Sequence, residues 1–291
     1  MKRQWTRYCL VLCCALLGNV AAPVATERNF SMIDFPGASS TQAWSINAAG
    51  DIVGFYAAAG ITHGFLLSAG SFSSIDFPGA SATFAYAINA RGDIAGAYVS
   101  AGVMHGFLLS ATDFTSIDFP GAASSEALGI NSRGDVVGGY SLVGPTPCCA
   151  AGTHGFVLSD GNFSNIDAPG AVFTYASGIN AAGDTVGAYF DGVSHGYLLN
   201  QGVVTTFDVP GATLTNALGG NPSSDIVGSY RDTTGARHGY LLSAGQFSAI
   251  DLPSATFTRA AAINPQGDIV GSGIVGGVFH GYLLTRQHQA K

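Results

Sequence analysis

Two residue types recur along this chain with fixed neighbours, and both can do chemistry. His63, His105, His154, His195, His238 and His280 each stand before a glycine and an aromatic residue. Asp34, Asp76, Asp118, Asp167, Asp208 and Asp251 each stand two residues before a proline. A third series, Asp51, Asp93, Asp135, Asp184, Asp225 and Asp268, opens another repeated segment. Imidazoles converging on one point could hold a metal, and paired carboxylates could do glycosidase work. A metal needs about four ligands at roughly 2.0–2.1 Å. Six copies spread around a repeat array stand too far apart for that. A carboxylate pair needs two unlike environments, and copied aspartates occupy like ones. The twelve His and Asp positions before Gly and Pro therefore read as structural repeat positions, with the histidine bonded to a loop backbone and the aspartate capping turn amides. No catalytic residue, cofactor or metal site is assigned.

Those residues need elements to position them, and the elements repeat. Equivalent positions are spaced 41–43 residues apart, with one step of 49 where "SLVGPTPCCAAGT" (141–153) is inserted. Six repeats run from about residue 29 to 286. Each has four short segments such as "FSSID", "FAYAIN", "DIAGAY" and "HGFLLS", rich in β-branched and aromatic residues and separated by turn signals. That is strand chemistry. Asn-x-x-Gly-Asp between the second and third segments suits a type I turn with a left-handed glycine, and Asp-Gly between the fourth and first suits a type I′ hairpin. Ser224 replaces the turn glycine in the fifth copy, so that hairpin is expected to be looser. Apolar residues at successive positions imply burial on both faces. The glycine of the third segment (Gly54 and its equivalents) implies a close backbone approach, as by a neighbouring unit.

Four short antiparallel strands per repeat is the pattern of a β-propeller. The expected fold is all-β, a six-bladed propeller over residues 26–291. The chain starts with segments one to three and ends with a lone segment four, so the last strand is expected to pair with residues 30–57 and close the ring. An open β-solenoid, which needs capping repeats, is the alternative.

"HGFLLSAGSF…AINARGDIAGAY" resembles the bacterial HAF-type extracellular repeats, across all six copies. It departs in carrying Gly for the name-giving Ala and "IDFPGA" where relatives carry an Asp-Leu-Gly type segment. The resemblance implies a secreted bacterial protein of propeller-like fold, with no catalytic residues assigned.

Lys2, Arg3 and Arg7 before a short apolar run and "GNVAAPVA" read as a secretory signal peptide over residues 1–25. Its removal leaves 8 basic and 18 acidic residues, a net charge of −10. That excludes nucleic acid as a natural partner. The expected protein is a secreted monomer, extracellular or periplasmic, with no membrane span, whose partner is an extracellular protein or glycan. Only Cys148 and Cys149 survive cleavage, a candidate vicinal disulfide. The two RGD tripeptides (91–93 and 133–135) read as turn residues, and the sequons at Asn29 and Asn162 carry little weight. Function is expected where symmetry breaks: the insertion, Trp44, Glu126, Asp191, Arg231, Arg237 and Arg259. A non-enzymatic binding module is favoured over a glycoside hydrolase or lyase with a pocket at the axis.

Overall fold

The structure is a computed structural model that describes residues 28–145 and 152–286. Residues 1–25 and the Cys148–Cys149 pair lie outside the described residues. Every described regular element is a strand. The chain opens with β1 (Arg28–Ile33), β2 (Ser40–Ile46), β3 (Ile52–Ala58), β4 (Ile61–Ser68) and β5 (Ser71–Ile75). It continues through β6 (Ala82–Ile88), β7 (Ile94–Ser100), β8 (Val103–Ser110) and β9 (Asp113–Ile117). Next come β10 (Ser124–Ile130), β11 (Val136–Ser141), β12 (Thr153–Ser159) and β13 (Asn162–Ile166), then β14 (Phe173–Ile179), β15 (Thr185–Phe190), β16 (Ser194–Asn200) and β17 (Val203–Phe207). The last are β18 (Leu214–Gly220), β19 (Ile226–Arg231), β20 (Arg237–Ser243), β21 (Gln246–Ile250), β22 (Phe257–Ile263), β23 (Ile269–Val275) and β24 (Val278–Arg286).

Consecutive strands form antiparallel meanders of four. β2–β5, β6–β9 and β10–β13 are separate four-stranded sheets, and the other twelve strands belong to one sheet. Within that sheet, single parallel bridges (Ser194 to Leu214, Arg237 to Phe257) join antiparallel groups of four. β1 supplies the missing outer strand of the last group. It pairs antiparallel with β24 from Arg28↔Arg286 to Ile33↔Gly281. The expected terminal pairing is present, over 28–33. The order within each group is segment two, three, four, one.

Turn chemistry sets the registers. Asp160 and Gly161 take φ 49° and 77°, the two left-handed residues of the expected type I′ turn. Ser224 adopts φ 63° and keeps the turn bond from its amide to Asn221 O at 3.1 Å. The fifth hairpin is therefore strained, not loosened. Every segment-two strand carries a register shift, at Ala43/Ser45 in the first copy, so one extra residue (Trp44 there) bulges from the ladder.

The glycines of segments three and four divide the work differently from expectation. A Cβ on Gly54 would lie 2.0 Å from Gln42 O and 2.8 Å from the Phe65 ring, both in its own sheet. Glycines after the repeated histidines are approached from both sides: a Cβ on Gly64 would meet Ile75 O of its own sheet at 3.0 Å and Ala85 Cβ of the next unit at 3.4 Å, and one on Gly281 would meet Ile33 O at 2.9 Å and Ala43 N at 3.1 Å. This explains the alanine that stands four residues before each turn asparagine. Ala43, Ala85, Ala127, Ala176, Ala217 and Ala260 are all fully buried.

The apolar core lies between units. Val53 of the first joins the cluster of Ile75, Ala85, Ile94 and Phe107, and Val270 of the last joins that of Ile33, Ala43, Ile52 and Phe65. The segment-two strands touch one another in succession, β2–β6–β10–β14–β18–β22, and β22 touches β2.

Candidate functional site

The repeated histidines and aspartates turn out to be partners of one another. Nδ1 of His63 donates to Asp76 at 2.7 Å, and His105, His154, His195 and His238 bond Asp118, Asp167, Asp208 and Asp251 at 2.7–3.1 Å. His280 bonds Asp34 at 2.9 Å. The expected bond to a loop backbone is corrected: the acceptor is a carboxylate, and that carboxylate caps no turn amide by an observed bond. Each of the first five histidines also stacks on a tyrosine of segment three, Tyr56 on His63 at 5.2 Å. Gly273 holds the tyrosine place in the last copy, and Leu252 reaches toward it.

Two pairs are elaborated. His195 Nε2 faces Asp191 at 3.3 Å and His238 Nε2 faces Asp232 at 3.4 Å. A ring with carboxylates at both nitrogens favours the imidazolium. Burial opposes the charge on His195, but Asp208 and Asp191 outweigh it and raise its pKa. The bond to Asp251 leads in raising that of His238.

The Gly-Asp aspartates are also spent internally. Asp51 accepts from Asn47 Nδ2 at 3.0 Å and Ser68 Oγ at 2.6 Å. Asn47 Nδ2 also reaches Asn89 O of the next unit at 3.3 Å, and Asn89, Asn131 and Asn221 repeat that step. In the RGD turns, Arg91 Nε binds Asp93 at 2.8 Å and its Nη1 binds Ser132 O of the next unit at 2.8 Å. Asp93 is only 7% exposed. Burial pushes its carboxyl up, but bonds from Asn89, Ser110 and Arg91 hold it below the usual range. Such an aspartate is not offered to a receptor.

What differs from copy to copy is the residue before each buried alanine. Gln42, Phe84, Glu126, Tyr175, Asn216 and Arg259 occupy this one place in the six converging strands, and no two are alike. All are buried or half-buried. Each repeat thus contributes a different group where the units meet. Trp44 and Arg259, expected as symmetry breakers, come together here, with the guanidinium 3.9 Å over the indole. Arg259 Nη2 donates to Gln42 Oε1 at 3.0 Å and Ser272 Oγ at 2.9 Å. Trp44 contacts Tyr86 at 4.9 Å and Phe55 at 5.9 Å, and Phe55 contacts Phe84 at 5.1 Å. Glu126 joins the same column from the third unit, buried. Asp191, Arg231 and Arg237 lie elsewhere, at the segment three–four connections. The insertion reaches back to the second unit, where Met104 N donates to Pro145 O at 2.8 Å.

Sequence reasoning missed Gln42, Phe84, Tyr175 and Asn216. The signal was available: aligned, the six copies show one wholly variable position beside an invariant alanine.

A separate cavity of about 90 Å³ lies between the fourth and fifth units, lined by Ile179, Asn180, Asp184, Asn200, Gly220, Asn221 and Asp225 among others. Gly220 stands where the other five repeats have isoleucine. Among the described residues no three His, Cys, Asp or Glu side chains are placed to hold a metal.

No family model matches the chain, and no curated protein is significantly similar. Solved structures are similar in fold. Aleuria aurantia lectin in complex with Fucα1-6GlcNAc shares 13% identity over 84% of this chain and 91% of its own, with TM-score 0.53. TolB from Acinetobacter baumannii shares 14% over 86% and 65%, with TM-score 0.56. Virginiamycin B lyase from Staphylococcus aureus shares 11% over 88% of each chain, with TM-score 0.50. The chain is all-β with a propeller-like arrangement of antiparallel four-stranded units. At such identities the likeness shows the fold alone. No helix among the described residues is long and apolar enough to cross a membrane.

Proposed function

We propose that this chain is a secreted, non-enzymatic binding module: a closed six-bladed β-propeller of HAF-type repeats that takes a glycan or an extracellular protein at its axis. One observation carries the reading. The repeated polar groups are consumed in bonds within and between units, whereas the variable position of the converging strands presents six different side chains at one level. Symmetric scaffolds gain specificity where copies differ, and clustered aromatic rings with a few polar groups are the usual lining of a small-ligand site. The succession of strand contacts returning from β22 to β2, with β1 completing the last group, supports six blades and a closed ring. Residues 1–25 would direct export, with cleavage after Ala22 or Ala25.

A glycan array and a pull-down with the exported protein test the reading. Binding that is lost on replacing Phe84 and Tyr175 by alanine, without loss of cooperative unfolding, supports it. Binding indifferent to both would move the site elsewhere. The alternative, an extracellular hydrolase or lyase with its pocket at the axis, draws on buried Glu126 in the same column. It requires bond cleavage in a bound glycan that disappears in Glu126→Gln.

A further inference from the structure

Among the described residues, Arg259 is a cation without an ion-pair partner. It sits on β22, at the seam between the last and first units. Its Nη2 is satisfied by two neutral acceptors, Gln42 and Ser272. Its Nε is buried and has no partner. So is Trp44 Nε1, on the indole that the guanidinium covers at 3.9 Å. The charged side chain that bears on Arg259 is a second cation, Arg237, which opposes its charge. Desolvation lowers its pKa to about 10, so it stays charged at neutral pH. A buried charge normally has a partner, because burying it alone is strongly unfavourable. Buried N–H donors are likewise nearly always bonded. An unopposed guanidinium that is half-buried among aromatic rings favours an acceptor that carries negative charge.

We propose that this seam binds a carboxylate, and that the ligand is a sugar acid of the uronate type. The proposal rests on the binding-module reading and specifies its ligand. The carboxylate would sit against the exposed part of the Arg259 guanidinium, a charge-assisted pairing of the kind Arg makes best. The pyranose would lie toward the aromatic group in which Trp44 stands 4.9 Å from Tyr86 and 5.9 Å from Phe55. The residue is half-buried rather than sealed, which leaves the guanidinium an open side. The net charge of −10 without residues 1–25 disfavours a dense polyanion and favours a single acidic residue within a glycan.

Trp44 makes the test direct, because the only other tryptophan is Trp5. In the full chain carrying Trp5→Phe, Trp44 emission is titrated with D-glucuronate, its neutral amide and N-acetyl-aspartate amide as a peptide acid. The expected result is saturable quenching by glucuronate, at least tenfold weaker for the neutral amide and for the peptide acid. Arg259→Gln should abolish it, and Arg259→Lys, which keeps the charge but loses the fork, should weaken it about tenfold. Thermal unfolding of both variants verifies that they fold. Equal response to acid and neutral amide, or no saturable response to either, overturns the proposal. A response to the peptide acid alone overturns the sugar assignment. Glycan-array binding of neutral sugars that leaves Trp44 silent overturns this site while the binding-module reading stands. Absence of all ligands, on the array and by fluorescence, overturns both.

Discussion

His280 and Asp34 lie 246 residues apart in the chain and make the same contact, 2.9 Å from Nδ1 to carboxylate, that His63 and Asp76 make 13 residues apart. The last strand thereby treats the first as though it followed a two-residue turn. The equivalence extends through the whole β1–β24 ladder. Gly281 packs on Ala43 as Gly64 packs on Ala85. One structural unit is thus assembled from both ends of the chain, and that unit is complete only when β1 and β24 have met.

Deleting residues 280–291 should therefore be severe. It removes Tyr282 and Leu284, buried to 0% and 2% exposure, and strips β1 of its partner. Loss of a buried aromatic costs about 3–5 kcal/mol and of a leucine about 2–5. At about 2–4 °C per kcal/mol for a chain approaching this size, Tm should fall by more than about 10 °C. Differential scanning calorimetry measures it; an unchanged Tm would show that the terminal pairing contributes nothing.

The doubly faced histidines predict a pH signature. The folded pKa values of His195 and His238 are raised by Asp208, Asp191, Asp251 and Asp232. A raised folded pKa contributes stability that is fully present below the unfolded value, about 6.5, and is lost as pH rises through the folded one. Replacing both by glutamine should lower Tm more at pH 5.5 than at pH 8.5. Equal losses at the two pH values would show that the neutral hydrogen bonds carry the whole effect.

The hairpins and strand count were legible because they are local. Turn residues and short apolar runs specify them within ten residues. The His–Asp pairing was missed, although the same rule implies it: a turn at Ala69–Gly70 sets Gly64 against Ile75, and so His63 against Asp76. The identity of the converging strand was not, because it depends on contacts between units that no single repeat encodes. Gly54 and Gly64 show the same limit. Both are glycines in strands, yet one is crowded by its own sheet alone and the other by its own sheet and the next unit. Arg259 and Trp44 stood out as exceptions, but that they meet across the chain's two ends is a property of closure.

Ser224 offers a test of stored strain. It holds φ 63° where five sister turns have glycine. A left-handed non-glycine residue costs about 1–2 kcal/mol. Its amide bond to Asn221 is kept, so Ser224→Gly relieves strain without losing a contact. Denaturant unfolding should show a gain of about 1 kcal/mol, less the extra chain entropy glycine brings to the unfolded state. A loss would mean that the serine side chain contributes something the turn geometry does not reveal.

Gly220 and Gly54 should answer substitution in opposite directions. At Gly220, a Cβ would meet nothing closer than 3.5 Å, and the backbone is not left-handed. The missing isoleucine of this repeat leaves the cavity of about 90 Å³. Filling it is worth at most about 2 kcal/mol at ~24 cal/mol per Å³. The apolar wall of Ile179, Val186, Leu198 and Ile226 suits the added side chain, whereas Asp184 and Asp225 on the other wall reduce the gain. Gly220→Ile should raise stability by about 1 kcal/mol. At Gly54, even alanine places a carbon 2.0 Å from a backbone oxygen. The ladder must then open, at the upper end of the ~1–3 kcal/mol of overpacking or beyond. Urea unfolding of both variants beside the parent checks the pair. Destabilisation by Gly220→Ile would show that the cavity holds polar groups that isoleucine cannot cover, and tolerance of Gly54→Ala would refute the close approach that explains this glycine in all six repeats.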